Sequence, residues 1–230
     1  MIKSWLTTVL QGRVLQARHK RLVVIAGPSC SGKSWLIQKI QSGESSRFLA
    51  RVKGQCKFNS RVLSNKLRLV SLRKDYAKGG IAHRLKRGGY LHFDVTGSHQ
   101  RQKRKVLMDL MRCSDQIIVL NVVLSFDQWI AVNAQRVNQD PERSVSSFVK
   151  GMLALHSKDP LAARQCYSLM VDRWHEYLDS SPLLKCVAVE SRAEKFVDGA
   201  DRDRLGLVRL TLLQLIWLKI RYPRLLGKVG

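Results

Sequence analysis

The sequence predicts an α/β protein in which a mostly parallel sheet lies between two layers of helices. Apolar runs of strand length, near residues 21–26, 89–94, 115–124 and 183–190, alternate with segments whose apolar residues recur at helical spacing. A glycine-rich stretch, residues 27–34, lies between the first of these strands and the first helix. Such alternation is typical of an open parallel sheet with its functional site at the carboxyl ends of the strands.

Length and composition fit one such domain with extra elements at both ends. The chain has 230 residues, and its 45% hydrophobic content is ample for a core and excludes a disordered chain. We predict an amphipathic N-terminal helix at residues 1–20, the α/β domain at 21–195, and an apolar and basic helical tail at 196–230.

The net charge of +24 is concentrated in the first half of the chain. Residues 1–93 hold 20 Lys and Arg against Glu44 and Asp75, which gives +18, and the remainder contributes 21 minus 15, or +6. A field of this sign favours an anionic partner: nucleic acid, an acidic membrane surface or an anionic small substrate. Charge alone leaves these three alternatives open.

Cysteine usage indicates a reducing, cytoplasmic compartment. The five cysteines are odd in number and widely spaced, and no C-x-x-C pair is present, so we expect neither a disulfide framework nor structural zinc. They are Cys30, Cys56, Cys113, Cys166 and Cys186. The N-terminus lacks the apolar stretch and cleavage site of a secretory signal, so we do not predict one.

The N-terminal segment has the spacing of a short amphipathic helix. Its apolar positions are Ile2, Trp5, Leu6, Val9 and Leu10. Docking on the domain's own surface is one interpretation, and peripheral contact with a lipid surface or with a partner is the other.

Residues 27–34 follow the spacing G-x-x-x-x-G-K-[ST] of a phosphate-binding loop, in the strand–loop–helix context that this motif requires. The expected nucleotide-binding residues are Gly27, Pro28, Ser29, Cys30, Ser31, Gly32, Lys33 and Ser34. The glycines permit backbone angles that turn successive N–H groups toward a polyphosphate. Lys33 is expected to reach the β- and γ-phosphates of ATP, and Ser34 to bind Mg²⁺.

The first helix and the basic segment after it follow this loop. Trp35, Ile37 and Ile40 are predicted to face the core. A second strand is predicted at residues 48–52 or 56–58. Residues 61–87 carry nine Lys and Arg and one acid, and we predict helices there, with Leu63, Leu67, Val70 and Ile81 as apolar positions. This segment is interpreted either as a solvated helical face or as an insertion that binds a phosphoryl acceptor.

Asp94 is the leading candidate for a catalytic or metal-binding carboxylate. It ends the apolar strand 89–94, whereas the earlier acids, Glu44 and Asp75, follow no such strand. Phosphoryl transfer with Mg²⁺ needs a carboxylate that holds the metal or accepts a proton. The alternative is that Asp94 only caps the next helix. His92, two residues earlier, either shares the face of Asp94 or packs in the core.

The second half of the domain supplies candidate arginines. A helix at 99–113 and a strand at 115–124 precede a helix at 125–137 that carries Arg136 at its end, and Arg143 lies beyond the next turn. These arginines are interpreted as a lid over the γ-phosphate, or as ordinary surface residues. Two helices, broken near Asp159-Pro160, and a last strand at 183–190 complete the domain.

The C-terminal segment 205–226 is apolar almost all round and is closed by Pro223. Arg209 and Lys219 are separated by only nine residues, which is too short for a transmembrane helix of about 20 residues. We therefore expect either a helix that covers the core or a monotopic anchor at a membrane surface.

Together, the loop, the strand that ends in Asp94, the arginine-bearing segment and the last strand resemble the P-loop kinase group of the nucleoside-phosphate-kinase-like P-loop NTPases, over residues 21–195. The loop is similar to that of guanylate kinase, but the GMP-recognition segment of that enzyme is not recognisable here. The resemblance implies a three-layer αβα sandwich and a kinase that transfers the ATP γ-phosphate. In it, Lys33 and Ser34 bind phosphate and Mg²⁺, Asp94 is the metal-linked acid or base, and Arg136 or Arg143 belongs to the lid.

Two other classes remain open. One is a nucleic-acid-acting P-loop NTPase or polynucleotide kinase, which the charge favours and the few aromatics of the basic segment disfavour. The other is a non-catalytic ATP-binding protein at a membrane surface. A GTPase is excluded, because the sequence has no N/T-K-x-D motif for base recognition.

Overall fold

The structure, a computed structural model, describes residues 22–68, 88–96, 104, 107–108, 110–111, 117–139, 146–181, 184–197 and 202–226. The amphipathic helix predicted at 1–20 and the greater part of the basic segment, residues 69–87, lie outside these ranges. So do Arg143, Asp75 and Cys113.

The described residues form an α/β structure around one six-stranded sheet. Its strands are β1 (Leu22–Gly27), β2 (Lys66–Leu67), β3 (Gly89–Asp94), β4 (Ile117–Val122), β5 (Leu184–Glu190) and β6 (Lys195–Phe196). Their order is β2-β3-β1-β4-β5-β6, and all neighbours pair in parallel except β5 and β6, which are antiparallel. The prediction of an α/β fold with a mostly parallel sheet is confirmed, and β1 lies near its centre.

The helices lie between and after these strands. They are α1 (Lys33–Gln41), α2 (Arg47–Gln55), α3 (Ser60–Ser64), α4 (Phe126–Gln139), α5 (Ser147–Lys158), α6 (Pro160–Asp179), α7 (Leu212–Arg221) and α8 (Pro223–Leu226). Helical residues also occur between Arg104 and Met111. The predicted break between two helices near residue 159 is confirmed, because Asp159 caps α6 through Ala162 N at 2.9 Å and Pro160 occupies its first turn.

Helices cover both faces of the sheet. On one face, Val23 and Ile25 of β1 pack in a core cluster with α1 and α2. On the other, Leu22 and Val24 pack in a cluster that includes Trp174 of α6. Alternate residues of one fully buried strand therefore serve two helical layers, an arrangement compatible with a three-layer sandwich.

A third core cluster joins α4, α5 and α6 to the C-terminal segment. Trp129 and Tyr167 are fully buried in it, and the Tyr167 hydroxyl donates to Leu124 O at 2.6 Å. Leu207 and Leu218 of the C-terminal segment are buried in the same cluster. One side of α7 covers the core, as one of the two expectations has it, whereas residues 205–210 are not helical. α7 ends at Arg221, just before Pro223, so the prediction that Pro223 closes this helix is confirmed, and Pro223 also begins α8.

The predicted second strand is wrong. Residues 47–55 form α2, in which Phe48, Leu49 and Val52 are buried on one face. The Ser46 hydroxyl accepts from Leu49 N at 3.1 Å and caps this helix, so local chemistry favours helix over strand. The strand next to β3 is instead β2, which includes Leu67, a residue that was predicted to be helical.

Trp35 was also assigned to the wrong face. Its side chain is 38% exposed, whereas Leu36, Ile37 and Ile40 face the core. The buried positions 36, 37 and 40 match the spacing of one helical face, and Trp35 lies beside that face. Among the residues that the structure describes, none of the helices is long and apolar enough to cross a bilayer.

Candidate functional site

The loop of residues 27–34, here called the glycine-rich loop, leaves the carboxyl end of β1 and enters α1. Three of its residues have left-handed backbone angles: Gly27 at φ 153°, Cys30 at φ 61° and Gly32 at φ 90°. Gly32 is the N-cap of α1 and has no side chain, so the amides of the first turn, which have no acceptor within any helix, are not capped from this position. A helix start of this kind attracts anions.

Both glycines of the loop lie where a side chain would collide with its surroundings. A Cβ on Gly27 would lie 2.3 Å from Val122 O, at the end of β4. A Cβ on Gly32 would lie 2.3 Å from Ser191 Oγ, just after β5. Both residues also have positive φ angles. Space and backbone conformation therefore each require glycine at these two positions.

Ser191 connects the loop to the end of β5. Its buried hydroxyl donates to Ser31 O at 2.8 Å, and Ser31 is itself fully buried. Sequence reasoning missed this residue, although a signal was present: Ser191 directly follows the last predicted strand, and the carboxyl ends of parallel strands meet at one edge of the sheet.

Lys33 folds over the glycine-rich loop. Its ammonium donates to Gly27 O at 2.8 Å and to Pro28 O at 2.5 Å, and lies 3.4 Å from Ser31 Oγ. The positive charge is therefore held inside the curve of the loop. Ser34, the next residue, is exposed in the first turn of α1.

Asp94 lies at the end of β3, directly across from Gly27 in the parallel register. Its Oδ1 accepts from Thr96 N at 2.9 Å and from Thr96 Oγ1 at 2.7 Å. The Thr96 oxygen in turn accepts from Ser29 N at 3.4 Å. Thr96 thus joins Asp94 to the loop. Sequence reasoning did not single out Thr96, but the side chain of an Asp at a strand end commonly accepts a hydrogen bond from the backbone N–H two residues on.

His92 is half-buried on the same strand as Asp94. Burial, followed by the charges of Lys66 and Lys33, lowers the pKa of His92 to about 4. Within the described part of the chain its Nε2 has no hydrogen-bond partner. The imidazole is therefore neutral near pH 7, and since alternate residues of a strand share a face, it lies on the same side of β3 as Asp94.

Arg136 reaches the glycine-rich loop from the end of α4. Its Nη1 donates to Cys30 Sγ at 2.9 Å, and its Nε is buried with no partner among the described residues. The structure thus brings together Lys33, Asp94 and Arg136 around one loop. The second predicted arginine, Arg143, lies outside the described residues.

Glu190 forms a second ionic cluster at the end of β5. It accepts from Gln128 of α4 at 3.2 Å and from Arg204 at 2.6 Å, and Lys195 lies 3.9 Å away. Burial acts to raise the pKa of Glu190, but these hydrogen bonds and the charges of Arg204 and Lys195 hold it below its usual value. Sequence reasoning missed this cluster, which fixes α4 and the C-terminal segment to the strand next to β4.

Comparison with known proteins assigns no function to this site. No protein-family model matches the chain, and no curated protein matches it. Within the described ranges, no three His, Cys, Asp or Glu side chains are grouped as a metal site would require. Mg²⁺ at nucleotide sites needs only one or two carboxylates besides the phosphates.

Proposed function

We propose that the protein is a P-loop kinase that binds ATP at the glycine-rich loop and transfers the γ-phosphate to a small anionic acceptor. The observation that carries the proposal is the position of the Lys33 ammonium, inside a loop whose two glycines exclude side chains. A loop of this shape at the start of an uncapped helix suits a polyphosphate. A loop that only connected a strand to a helix would not need a lysine folded over its carbonyls.

The loop residues bind and orient the polyphosphate. Backbone amides at the start of α1 point their dipole at the anion, and Lys33 exchanges its loop carbonyls for phosphate oxygens. Because its charge is preorganised, we expect Lys33 to stabilise the transition state by about 2 to 4 kcal/mol.

The residues across the loop fit a divalent cation. The exposed hydroxyl of Ser34 and the carboxylate of Asp94 are oxygen ligands of the kind that Mg²⁺ prefers. When bound, Mg²⁺ neutralises charge on the phosphates. Asp94 is held in place by Thr96, so its carboxylate is already oriented, as a metal ligand or as the base that accepts the acceptor's proton.

Arg136 adds a second positive charge to the same site. Its guanidinium lies against Cys30 in the middle of the loop. A guanidinium at this place would stabilise the negative charge that spreads over the transferred phosphoryl group. The buried Nε, which has no partner among the described residues, is the donor through which Arg136 would gain a hydrogen bond on ligand binding.

The charge of the chain supports an anionic acceptor. Arg68 is exposed immediately after β2, which pairs with the strand that ends in Asp94. This residue is one of the nine Lys and Arg of the basic segment 61–87, so part of that segment lies on the strand next to β3. A carboxylate or phosphate on the acceptor would be attracted there.

The same charge also favours a second candidate, a polynucleotide kinase. The two differ in salt dependence: a polynucleotide that engages several phosphates should lose affinity by orders of magnitude between roughly 50 and 200 mM salt, whereas a small acceptor should lose little. We favour the small acceptor, because aromatic residues for base stacking are few in the basic segment.

A phosphoryl-transfer screen with labelled ATP tests the proposal. Nucleotides, sugars and oligonucleotides serve as acceptors, with the wild type, Lys33→Ala and the control Lys53→Ala compared. Lys53 is exposed in the last turn of α2. We expect transfer by the wild type and Lys53→Ala and almost none by Lys33→Ala. Wild-type turnover by a folded Lys33→Ala variant would contradict the proposal.

A further inference from the structure

Helix α7, which takes no part in the glycine-rich loop, has apolar residues on two opposite sides. One side faces the core, where Leu218 is fully buried and Leu215 packs against the same cluster. The opposite side is apolar as well, but exposed. Its residues are Leu212 (73% exposed), Leu213 (78%), Ile216 (45%), Trp217 (46%) and Ile220 (76%).

These five residues form one continuous stripe. At about 100° per residue, positions 212, 216, 220, 213 and 217 follow each other around the helix over an arc of about 140°. Lys219 borders the arc on one side and Arg221 on the other, and both are exposed. We call this surface, Leu212, Leu213, Ile216, Trp217, Ile220 and the two bordering cations, the α7 face.

The apolar surface continues beside the α7 face. A groove of about 380 Å³ lies between α7 and the start of α6, and Leu161 (60% exposed), Leu213 and Trp217 line it. The carboxylate in the groove, Asp159, already accepts a hydrogen bond from Ala162 N as the cap of α6. Contiguous exposed apolar surface of this kind marks an interaction site.

We infer that the α7 face binds the surface of an anionic lipid bilayer. The cations on both borders of the apolar arc are placed to extend to headgroup phosphates while the arc enters the acyl boundary. Residues 205–230, which exclude the Arg204 that pairs with Glu190, hold five Lys and Arg and no Asp or Glu, so this segment is attracted to negative lipid. Trp217, partly exposed on the arc, is the residue type that prefers the headgroup level.

Geometry sets the orientation of α7. The helix has ten residues and is about 15 Å long, half of a hydrocarbon core of about 30 Å. Its inner side is packed against α6 and the third core cluster. It therefore lies parallel to the bilayer and inserts only its outer side.

Charge disfavours the other occupants of this face. A second copy of the chain would bring another +24, with its own Lys219 and Arg221, to the same interface. An apolar patch on a neutral protein would bury the apolar arc but would offer no negative charge to the cations. An anionic bilayer both buries the arc and attracts the cations.

Flotation with vesicles tests the inference in the full chain without ATP. Vesicles of phosphatidylcholine, with and without phosphatidylserine, are compared at low and high salt. We expect binding that requires phosphatidylserine and weakens with salt. Leu213→Gln/Ile220→Gln should abolish it, and Lys219→Gln/Arg221→Gln should lower the partition coefficient by about 30-fold, since each cation near the surface contributes about fivefold.

Matched variants serve as controls. Met108→Gln removes an apolar side chain that is 46% exposed elsewhere, and Arg47→Gln/Lys53→Gln removes two exposed cations of α2. Both should bind as the wild type does. Equal loss in the controls, or no binding to phosphatidylserine by the wild type, would overturn the inference. Sedimentation tests whether a second copy binds the α7 face: a wild-type dimer that Leu213→Gln/Ile220→Gln dissociates would indicate one. Thermal unfolding tests whether another segment of the same chain covers this face: a melting temperature lowered by Leu213→Gln/Ile220→Gln would indicate that.

Discussion

Gly32→Ala is the substitution that tests the shape of the glycine-rich loop most directly. The added Cβ would lie 2.3 Å from Ser191 Oγ, so the serine must move. Its hydroxyl then loses the 2.8 Å hydrogen bond to Ser31 O, in a place where both serines are buried. The backbone at φ 90° is also one that alanine rarely adopts.

The expected loss of stability is a sum of two effects. The left-handed backbone costs alanine about 1 to 2 kcal/mol. A buried carbonyl left without its donor costs about 1 to 3 kcal/mol more. Gly32→Ala should therefore lower the free energy of unfolding by about 2 to 5 kcal/mol and abolish ATP turnover.

Two other glycines separate these effects. Gly43 has φ 75° but open space around it, so Gly43→Ala should cost only about 1 to 2 kcal/mol. Gly54 lies in α2 with open space and an ordinary backbone, so Gly54→Ala should stabilise by roughly 0.5 to 1 kcal/mol. Urea unfolding of all three variants measures the differences.

A second-site change tests the collision itself. In the Gly32→Ala background, Ser191→Ala removes the colliding hydroxyl and leaves a contact of 3.2 Å. The double variant should lose less stability than the two single losses added together. Strict additivity, or equal losses at Gly32 and Gly43, would refute the arrangement of Ser191 over the loop.

The remaining predictions concern the residues around the loop. Asp94→Asn keeps an oxygen for Thr96 but loses the negative charge, so kinetics should show turnover lowered about a hundredfold or more with ATP binding retained; if ATP binding falls as far as turnover, the carboxylate role is wrong. Arg136→Gln should lower kcat by about 10²-fold and Arg136→Lys by less, with the exposed Arg61→Gln unchanged; equal effects of Gln and Lys would indicate a packing role. The lowered pKa of His92 means that the unfolded chain takes up this proton first, so stability should fall as pH drops from 6.5 toward about 4. In urea unfolding, His92→Leu should make the decrease of unfolding free energy with falling pH shallower. An unchanged pH dependence would show that His92 is not its source.

The sequence predicts the centre of this molecule well because its signals are local. A fully apolar run, two glycines at fixed spacing and a strand that ends in a carboxylate place β1, the glycine-rich loop and Asp94 without knowledge of distant contacts. Their meeting follows from one rule, that parallel strands end at the same edge.

One error could have been avoided from a local signal, and the others arise where distant contacts decide. Residues 48–52 form a short apolar run that suits a strand or a helix, and the cap at Ser46 settles it. Two-residue strands such as β6 carry no sequence pattern of their own and exist because β5 offers an edge. The roles of Thr96 and Ser191 depend on partners far along the chain, which periodicity does not reveal.

Two of the hydrogen bonds that hold the glycine-rich loop have a consequence for how the protein is made. Ser29 and Thr96 are separated by 67 positions, and Ser31 and Ser191 by 160. During synthesis from the N-terminus, the loop is translated early but its last support is translated late. A ribosome-bound chain that ends before β5 would carry the whole G-x-x-x-x-G-K-S motif without its final conformation. If the loop binds ATP as proposed, that affinity should emerge only after residue 191 has left the ribosome, which would make ligand binding a late marker of completed folding.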